Sequence, residues 1–422
     1  MKKLATRISI LLIILQTLFI FGCKPNSSKT NFIIWTDRPE FVSYTELFNS
    51  MQEKTKAIVV YKKNLANSFP IAKDEEKPDL VVGSWLKNER IRKNFRALDS
   101  LLSKDKVDSS AIYSSLFKYG QHSGKQFLLP VSFNLPLVIF STKNENLIEN
   151  KYTLTLDELR DLGALFNSKN SSGVFTKMGF APSWDKEFVY EVSKKYGQCF
   201  KEKGTSFTWD KTKLDSAVDY VKNWTLTKND STTAEQDFQF KYLYTPKYRQ
   251  IAAERTLFAY TTSEDFFNIA SEQLGDIDFR WLEINKTLPA TDDIVSMAIY
   301  KNAKNTRRAE DFILWFFKAE NQKLMLERAK KMDLDTVTFG ISSGFSSIQS
   351  VTEYIFPSYY RNLLGNLPSA QKISAPQSFP ARWDSLKERV IYPYFTNATN
   401  TDTTKRNPTM ESLLNAWSKQ FD

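Results

Sequence analysis

Aromatic side chains stand beside polar ones at several points where a predicted strand ends or a predicted helix begins. Trp35 precedes Asp37 and Arg38, and Trp85 follows Ser84. An aromatic ring packs well against the C–H face of a sugar, while carboxylate, guanidinium and hydroxyl groups form hydrogen bonds with sugar hydroxyls. This pattern predicts a binding site for a polyhydroxylated ligand.

Two further positions show the same pairing. Trp184 precedes Asp185, and Phe133 precedes Asn134. In open α/β sheets ligands bind outside the carboxyl ends of the strands, where several of these residues are expected. Any one of the aromatic residues could instead be a core residue at the edge of a lobe, but the set favours a ligand cleft.

Residues for other kinds of chemistry are scarce. The single histidine, His122, lies in a polar segment, and no nucleophile motif surrounds it. His122 and Cys199 cannot form a metal cluster by themselves, and the sequence has no glycine-rich phosphate loop. We therefore expect no catalytic residue, metal or cofactor, although Asp292 and Asp293 leave glycosidase-like acid–base chemistry open.

The composition indicates a large folded protein that does not bind nucleic acid. The 422 residues are 41% hydrophobic and 14% aromatic, which is enough for a sizeable core in two or more lobes. The formal net charge is +10, but the basic residues are interleaved with Asp and Glu and form no basic stripe.

The N-terminal sequence is typical of a secreted lipoprotein. Basic residues precede an apolar run at 8–21, which has the length of a signal peptide rather than of a membrane span. The following "IFGC" resembles a lipobox, so we expect residues 1–22 to be removed and Cys23 to be acylated. Residues 23–30 would then form a tether, and Cys199 would have no disulfide partner. The alternative is an uncleaved membrane anchor.

The elements that must position the site alternate between strand and helix. An apolar strand ending at Trp35 is followed by a helical pattern, by "AIVVY" (57–61) and by "PDLVVGSW" (78–85), which together predict an α/β lobe. Asp37 with Glu40, and Thr155 with Glu158, are spaced as capping boxes at helix starts. Further helices are predicted at 185–196, 210–224, 306–332 and 409–420.

Five segments, in order, resemble the carbohydrate-binding group of extracytoplasmic solute-binding proteins of ABC importers, which includes the maltose-binding protein. They are "IIWTDRPEFVSYTELFNSMQEKT", "PDLVVGSWL", "LLPVSFNLPLVIFSTKN", "IVSMAIYKNAKNTRRAEDFILWFFKAENQ" and "PQSFPARWDSLKERVIYPYF". The resemblance implies an α/β periplasmic-binding-protein type II fold, in which two discontinuous lobes are joined by hinge strands. Assigned by order, lobe one is 31–141 plus 296–337 and lobe two is 142–295 plus 338–422.

The resemblance also implies where ligand would bind. Asn134 stands where the family often has a carboxylate, and the turn at Ser263 and Glu264 lacks the family's usual Trp. The positions that match the family's cleft are Trp35, Asp37, Arg38, Trp85, Phe133, Asn134, Trp184, Ser263, Glu264, Asp293 and Trp383.

These observations lead to one principal hypothesis and two alternatives. The principal hypothesis is a monomeric, non-enzymatic, lipid-anchored extracytoplasmic protein that captures a sugar and delivers it to an ABC permease. One alternative is a surface adhesin or sensor on the same fold with no transport role. The other is a secreted carbohydrate-active enzyme.

Overall fold

The computed structural model describes residues 30–197, 200–203, 206–334, 337–402 and 407–420. The predicted signal peptide, Cys23, its tether and Cys199 lie outside these residues. Within the described ranges, no helix has both the length and the apolar character needed to cross a membrane.

The described chain contains strands that run from its first described residue into its last quarter. In chain order they are β1 Thr30–Thr36, β2 Thr55–Tyr61, β3 Leu80–Gly83, β4 Gln121–His122, β5 Lys125–Gln126, β6 Leu129–Phe133, β7 Pro136–Ser141, β8 Thr153–Thr155, β9 Ser168–Lys169, β10 Phe175–Lys177, β11 Phe200–Lys203, β12 Ser206–Trp209, β13 Ala259–Thr262, β14 Ile277–Glu283, β15 Leu288–Pro289, β16 Val295–Ile299, β17 Phe345–Ser346 and β18 Ile373–Ser374.

Helices alternate with these strands. They are α1 Glu40–Ser50, α2 Glu89–Arg92, α3 Ser114–Tyr119, α4 Leu156–Phe166, α5 Lys186–Lys195, α6 Lys211–Lys228, α7 Thr232–Lys241, α8 Lys247–Ala252, α9 Ser263–Phe267, α10 Ser271–Leu274, α11 Thr306–Phe316, α12 Ala319–Lys331, α13 Trp383–Leu386, α14 Tyr392–Ala398 and α15 Met410–Ser418.

Two sheets form the framework of the molecule. The first has the order β17-β6-β16-β3-β1-β2, with β1 parallel to both of its neighbours and β16 antiparallel to β3 and β6. The second has the order β13-β7-β14-β8. The predicted β–α–β start is confirmed, because α1 connects the paired strands β1 and β2.

The chain passes between the sheets after Phe133 and again before Val295. Strand β7 pairs with β13 and β14 of the second sheet, so the predicted lobe boundary at 141 is too late. Strand β17 pairs with β6 of the first sheet, although residues from 338 onward were assigned to lobe two. Both errors have one cause: an apolar strand looks the same in sequence whichever sheet it joins. The remaining lobe boundaries stay a prediction.

Helix boundaries confirm some predictions and correct others. Thr155 and Glu158 form the predicted capping box at α4, but Pro39 precedes α1 and no side chain caps that helix. Asp37 is not a cap because its carboxylate points to Ser84 and Arg38. The predicted helix at 306–332 is two helices, α11 and α12, since the chain becomes extended at Lys318.

Trp35 is a core residue, which contradicts its assignment to the rim of a cleft. Alternate residues of β1 face opposite sides of the sheet, and both sides are covered. Trp35 is 1% exposed. The centroids of the Trp35 and Phe69 rings are 6.2 Å apart, and the Lys62 ammonium lies 4.4 Å from the centroid of the Trp35 ring. The charged residues Asp37 and Arg38 follow β1, but they do not indicate whether the side chains of β1 are exposed or buried.

Replacing Trp35 by Ala is therefore expected to lower the free energy of unfolding by about 3–5 kcal/mol, because it opens a cavity in a closed cluster. Urea denaturation measures this, with Tyr354→Ala as the control since that side chain is 76% exposed. A loss below about 1 kcal/mol in Trp35→Ala would contradict the buried position.

Candidate ligand-binding cleft

A cavity of about 400 Å³ lies where the ends of the two sheets meet. Trp85, which follows β3 of the first sheet, lines it together with Tyr260, Thr261 and Thr262 from β13 of the second. The other lining residues are Asn134, Asp185, Glu187, Lys247, Glu264, Asp265, Thr291, Asp292, Asp293, Asp384, Lys387, Glu388 and Tyr392.

The turn after β1 joins the turn after β3 through a polar chain. Arg38 donates from its guanidinium to the Ser84 hydroxyl, and its Nε lies 3.4 Å from Asp37 Oδ1. The Ser84 hydroxyl in turn donates to the backbone oxygen of Asp293 at 2.7 Å. These contacts hold Asp293, which lines the cleft, against the first sheet.

Asp37 does not line the cleft. It is packed tightly behind the cleft wall and supports it. Burial raises the pKa of Asp37 to about 6, although Arg38 and the Ser84 amide act in the opposite direction. A Cβ atom at Gly83 would lie 2.5 Å from Asp37 Oδ1 and 2.6 Å from a methyl carbon of Leu65. Glycine is thus the residue that allows this close approach.

Asn134 connects the segments that cross between the sheets. Its Oδ1 accepts a hydrogen bond from Ser263 Oγ at 2.6 Å, and its Nδ2 donates to the Ser343 carbonyl at 2.7 Å. Its backbone oxygen accepts from the Thr291 amide at 2.9 Å. A carboxylate could not donate to the Ser343 carbonyl, so these bonds explain why an amide stands here.

Glu264 reaches the cleft from the start of α9. Burial and the neighbouring Asp293 raise the pKa of Glu264 to about 7, while Arg38 opposes the shift. Its nearest hydrogen-bond donor is Asn134 Nδ2 at 3.4 Å. Glu264 therefore titrates near neutral pH at the wall of an open cavity.

A buried ionic network forms the second-sheet side of the cleft. Lys387 Nζ lies 2.7 Å from Glu187 and 3.1 Å from Asp292, and Lys194 lies 3.4 Å from Asp292. The Trp383 indole donates to Asp292 at 3.1 Å. Burial alone would raise the pKa of Asp292, but Lys387 and Lys194 outweigh it and hold this pKa at about 2.

This network argues against Asp292 as the general acid of a glycosidase. A general acid needs a carboxyl group that is protonated near the working pH. Asp292 is instead held as an anion by two lysines. Its geometry is that of a structural anion that also forms part of the cleft wall.

The structure brings together part of the predicted site. Trp85, Asn134, Glu264 and Asp293 line the cleft. Asp37 and Arg38 lie behind this lining, and Ser263 is fully buried beneath Asn134.

Four of the predicted aromatic residues do not line this cleft. Besides Trp35, Phe133 is buried between Tyr113 and Phe345, and Trp383 is buried against Phe379. Trp184 stacks on Phe238 in a separate cluster, and its indole donates to the Glu235 carbonyl at 2.9 Å. Adjacency to polar residues cannot distinguish a ring that faces ligand from a ring that anchors its own turn.

Sequence reasoning missed most of the second-sheet wall. Asp185 and Asp265 each directly follow a predicted residue, which is the available sequence signal for them. Tyr260 is inside a strand, and Lys387 follows α13 far along the chain. Only the fold brings Tyr260 and Lys387 to the same cavity.

Known structures share this architecture. They include the mannotriose-bound protein CpMnBP1 (18% identity, 93% of this chain and 100% of that chain covered, TM-score 0.60). The cyclic α-maltosyl-1,6-maltose binding protein from Arthrobacter globiformis matches at 14% identity, with 93% and 98% covered and a TM-score of 0.60. The galacto-N-biose/lacto-N-biose I-binding protein of an ABC transporter from Bifidobacterium longum matches at 13%, with 93% and 96% covered and a TM-score of 0.59.

No family model and no curated protein sequence matches the chain. At these identities the structural likeness establishes the fold. The chain therefore has the two-lobe α/β fold of these sugar-binding proteins, as the sequence resemblance implied.

The raised pKa of Glu264 predicts an unusual dependence of stability on pH. Between about pH 4.5 and pH 7 the folded chain keeps a proton on Glu264 that the unfolded chain releases, so this residue lowers the free energy of unfolding as pH rises. Glu264→Gln should remove this contribution. The free energy of unfolding of Glu264→Gln should exceed that of the parent by an amount that is absent near pH 4 and grows toward pH 7.

Urea denaturation across this pH range measures the effect. The control is Glu254→Gln, which changes an exposed glutamate paired with Lys177. If Glu264→Gln and the parent keep a constant difference from pH 4 to pH 7, the raised pKa is contradicted.

Proposed function

We propose that this protein is the substrate-binding component of an ABC importer, which captures a carbohydrate in the cleft between its lobes and delivers it to a membrane permease. The observation that carries the proposal is the half-buried indole of Trp85 at the cleft wall. The known structures with this fold support it, since their descriptions name bound sugars or sugar-binding proteins.

The backbone at Trp85 supports a binding role for this side chain. Trp85 has φ of 63°, in the left-handed region that favours glycine. Holding a bulky residue there costs about 1–3 kcal/mol, and such strain concentrates at ligand sites. The strain places the indole at the cavity, where its apolar face is available to the C–H face of a sugar ring.

The cleft supplies acceptors and donors around that ring. The carboxylates of Glu264 and Asp293 can accept hydrogen bonds from sugar hydroxyls, and the hydroxyls of Thr261 and Thr262 can both donate and accept. Because lining residues come from both sheets, a bound ligand would contact both lobes and favour the closed arrangement.

Lipid anchoring and delivery belong to the same proposal. The lipobox-like "IFGC" supports acylation at Cys23, which would hold the protein at the extracytoplasmic face of a membrane. This arrangement keeps the captured sugar close to a permease.

Trp85→Ala is expected to weaken sugar binding at least tenfold, because it removes the stacking surface. Titration calorimetry with mannotriose, maltotetraose and lacto-N-biose, followed by thermal shift, measures this. A sugar at 100 times its dissociation constant should stabilise the parent by about 2.7 kcal/mol. Unliganded Trp85→Ala should unfold within a few degrees of the parent.

The matched control is Phe240→Ala, since that ring is 76% exposed and lies outside the cleft. Equal sugar affinity in Trp85→Ala and Phe240→Ala would contradict the assigned role of Trp85. Sugar binding without uptake of that sugar by cells would instead favour an adhesin or sensor.

A further inference from the structure

Acidic residues outnumber lysines by four to one in the lining of the cleft. Eight carboxylates line it, and the lining lysines are Lys247 and Lys387. Both lysines are already engaged: Lys247 lies 2.7 Å from Asp185, and Lys387 lies 2.7 Å from Glu187. Lys387 also pairs with Asp292, and among the described residues neither lysine lies within 4 Å of Glu264, Asp265, Asp293 or Asp384.

Four of the lining carboxylates have no cationic side chain within 4 Å in the described part of the chain. They are Glu264, Asp265, Asp293 and Asp384. Asp293 accepts from Thr291 Oγ1 at 2.6 Å and Asp265 from Thr262 Oγ1 at 3.1 Å, which are neutral donors.

Arg38 compensates only part of this charge. It lies behind the cleft wall, where a single guanidinium faces the carboxylates of Asp293, Asp37, Glu40 and Glu264. It is held by Asp37 and by the Ser84 hydroxyl, so it is fixed rather than free to enter the cavity. The cavity therefore keeps an excess of negative charge.

A second observation, on the second-sheet side of the same cleft, points to a ligand. The Tyr260 side chain lines the cleft and is 3% exposed, yet among the described residues its phenolic hydroxyl has no hydrogen-bond partner. A buried polar group without a partner costs free energy that a bound ligand could recover. The hydroxyl lies beside the carboxylates of the second-sheet wall, with Glu191, Glu187, Asp185 and Asp292 around it.

A metal ion is a poor candidate for balancing this charge. In the described ranges, no group of three or more His, Cys, Asp or Glu side chains converges closely enough to hold one. The carboxylates are instead spread around the cavity, which suits a cation carried on an extended molecule. Trp85 adds an aromatic face that attracts cations.

We propose that the ligand of this cleft is an amino sugar, a carbohydrate whose protonated amine lies among Glu264, Asp265 and Asp293 while a ring packs on Trp85. This inference rests on the proposed carbohydrate role and names its substrate class. The ammonium of the sugar supplies the positive charge that the lining lysines do not give to these carboxylates. The hydroxyls of the sugar form hydrogen bonds with the neutral donors and acceptors of the cleft.

The test compares matched sugars by titration calorimetry in low salt at pH 7.5, above the pKa of about 7 that burial gives Glu264. The pairs are cellobiose with the β-1,4-linked glucosamine disaccharide, and glucose, galactose and mannose with their 2-amino counterparts. Spermidine is included as a cation without a sugar ring. We expect an amino member to bind at least tenfold more tightly than its neutral partner, with a preference that falls as salt rises.

Variants locate the amine. Glu264→Gln and Asp293→Asn should each weaken binding of the amino member several-fold more than binding of its neutral partner, so that the preference for the amino member falls. Glu254→Gln, on the exposed surface of the second lobe, should leave the preference unchanged. An unchanged preference in both cleft variants would overturn the placement of the amine.

The outcomes separate this inference from the proposed function. Equal or tighter binding of the neutral members overturns the amino-sugar inference and leaves the carbohydrate role standing. Binding of spermidine without any sugar keeps the cation site and overturns the carbohydrate role. Absence of binding by every compound overturns both.

Discussion

The structure depends on a single buried amide at the crossing between its two sheets. Asn134 uses its oxygen toward Ser263, its nitrogen toward Ser343 and its backbone carbonyl toward Thr291. These partners belong to separate stretches of chain, so this one residue fixes their relative positions. Because each bond is in a buried site, leaving any of these groups unpaired would cost about 1–3 kcal/mol. The geometry of the cleft wall follows from this junction.

Charge burial is the second constraint, and it differs between the two walls. On the second-sheet side, Lys387 and Lys194 neutralise Asp292 and make it a permanent anion in a closed network. On the crossing side, burial leaves Glu264 with a pKa of about 7 and no cation of its own. The second-sheet wall therefore carries its own cations, whereas the crossing side keeps a carboxyl group that a cationic ligand could pair.

The sequence predicted the order of elements better than the position of side chains. The β–α–β start and the Thr155 capping box were readable, because hydrophobic periodicity and cap spacing are local signals. The two-lobe fold was implied by the resemblance of five segments to a known family. Trp35 was misassigned because both faces of its strand are covered, which no local pattern reveals. The cleft combines Trp85, Tyr260 and Lys387, and only tertiary structure brings residues so far apart in the chain together.

A cleft between two lobes is best tested by hydrogen–deuterium exchange with and without a sugar that binds, because exchange reports where along the chain the ligand acts. We expect slower exchange in segments 84–88, 260–265 and 291–293 together, since these segments line one cavity from both sheets. Protection confined to one sheet would contradict a cleft between two lobes. Protection centred on the surface groove formed by Lys323, Lys330 and Tyr354 would contradict it equally.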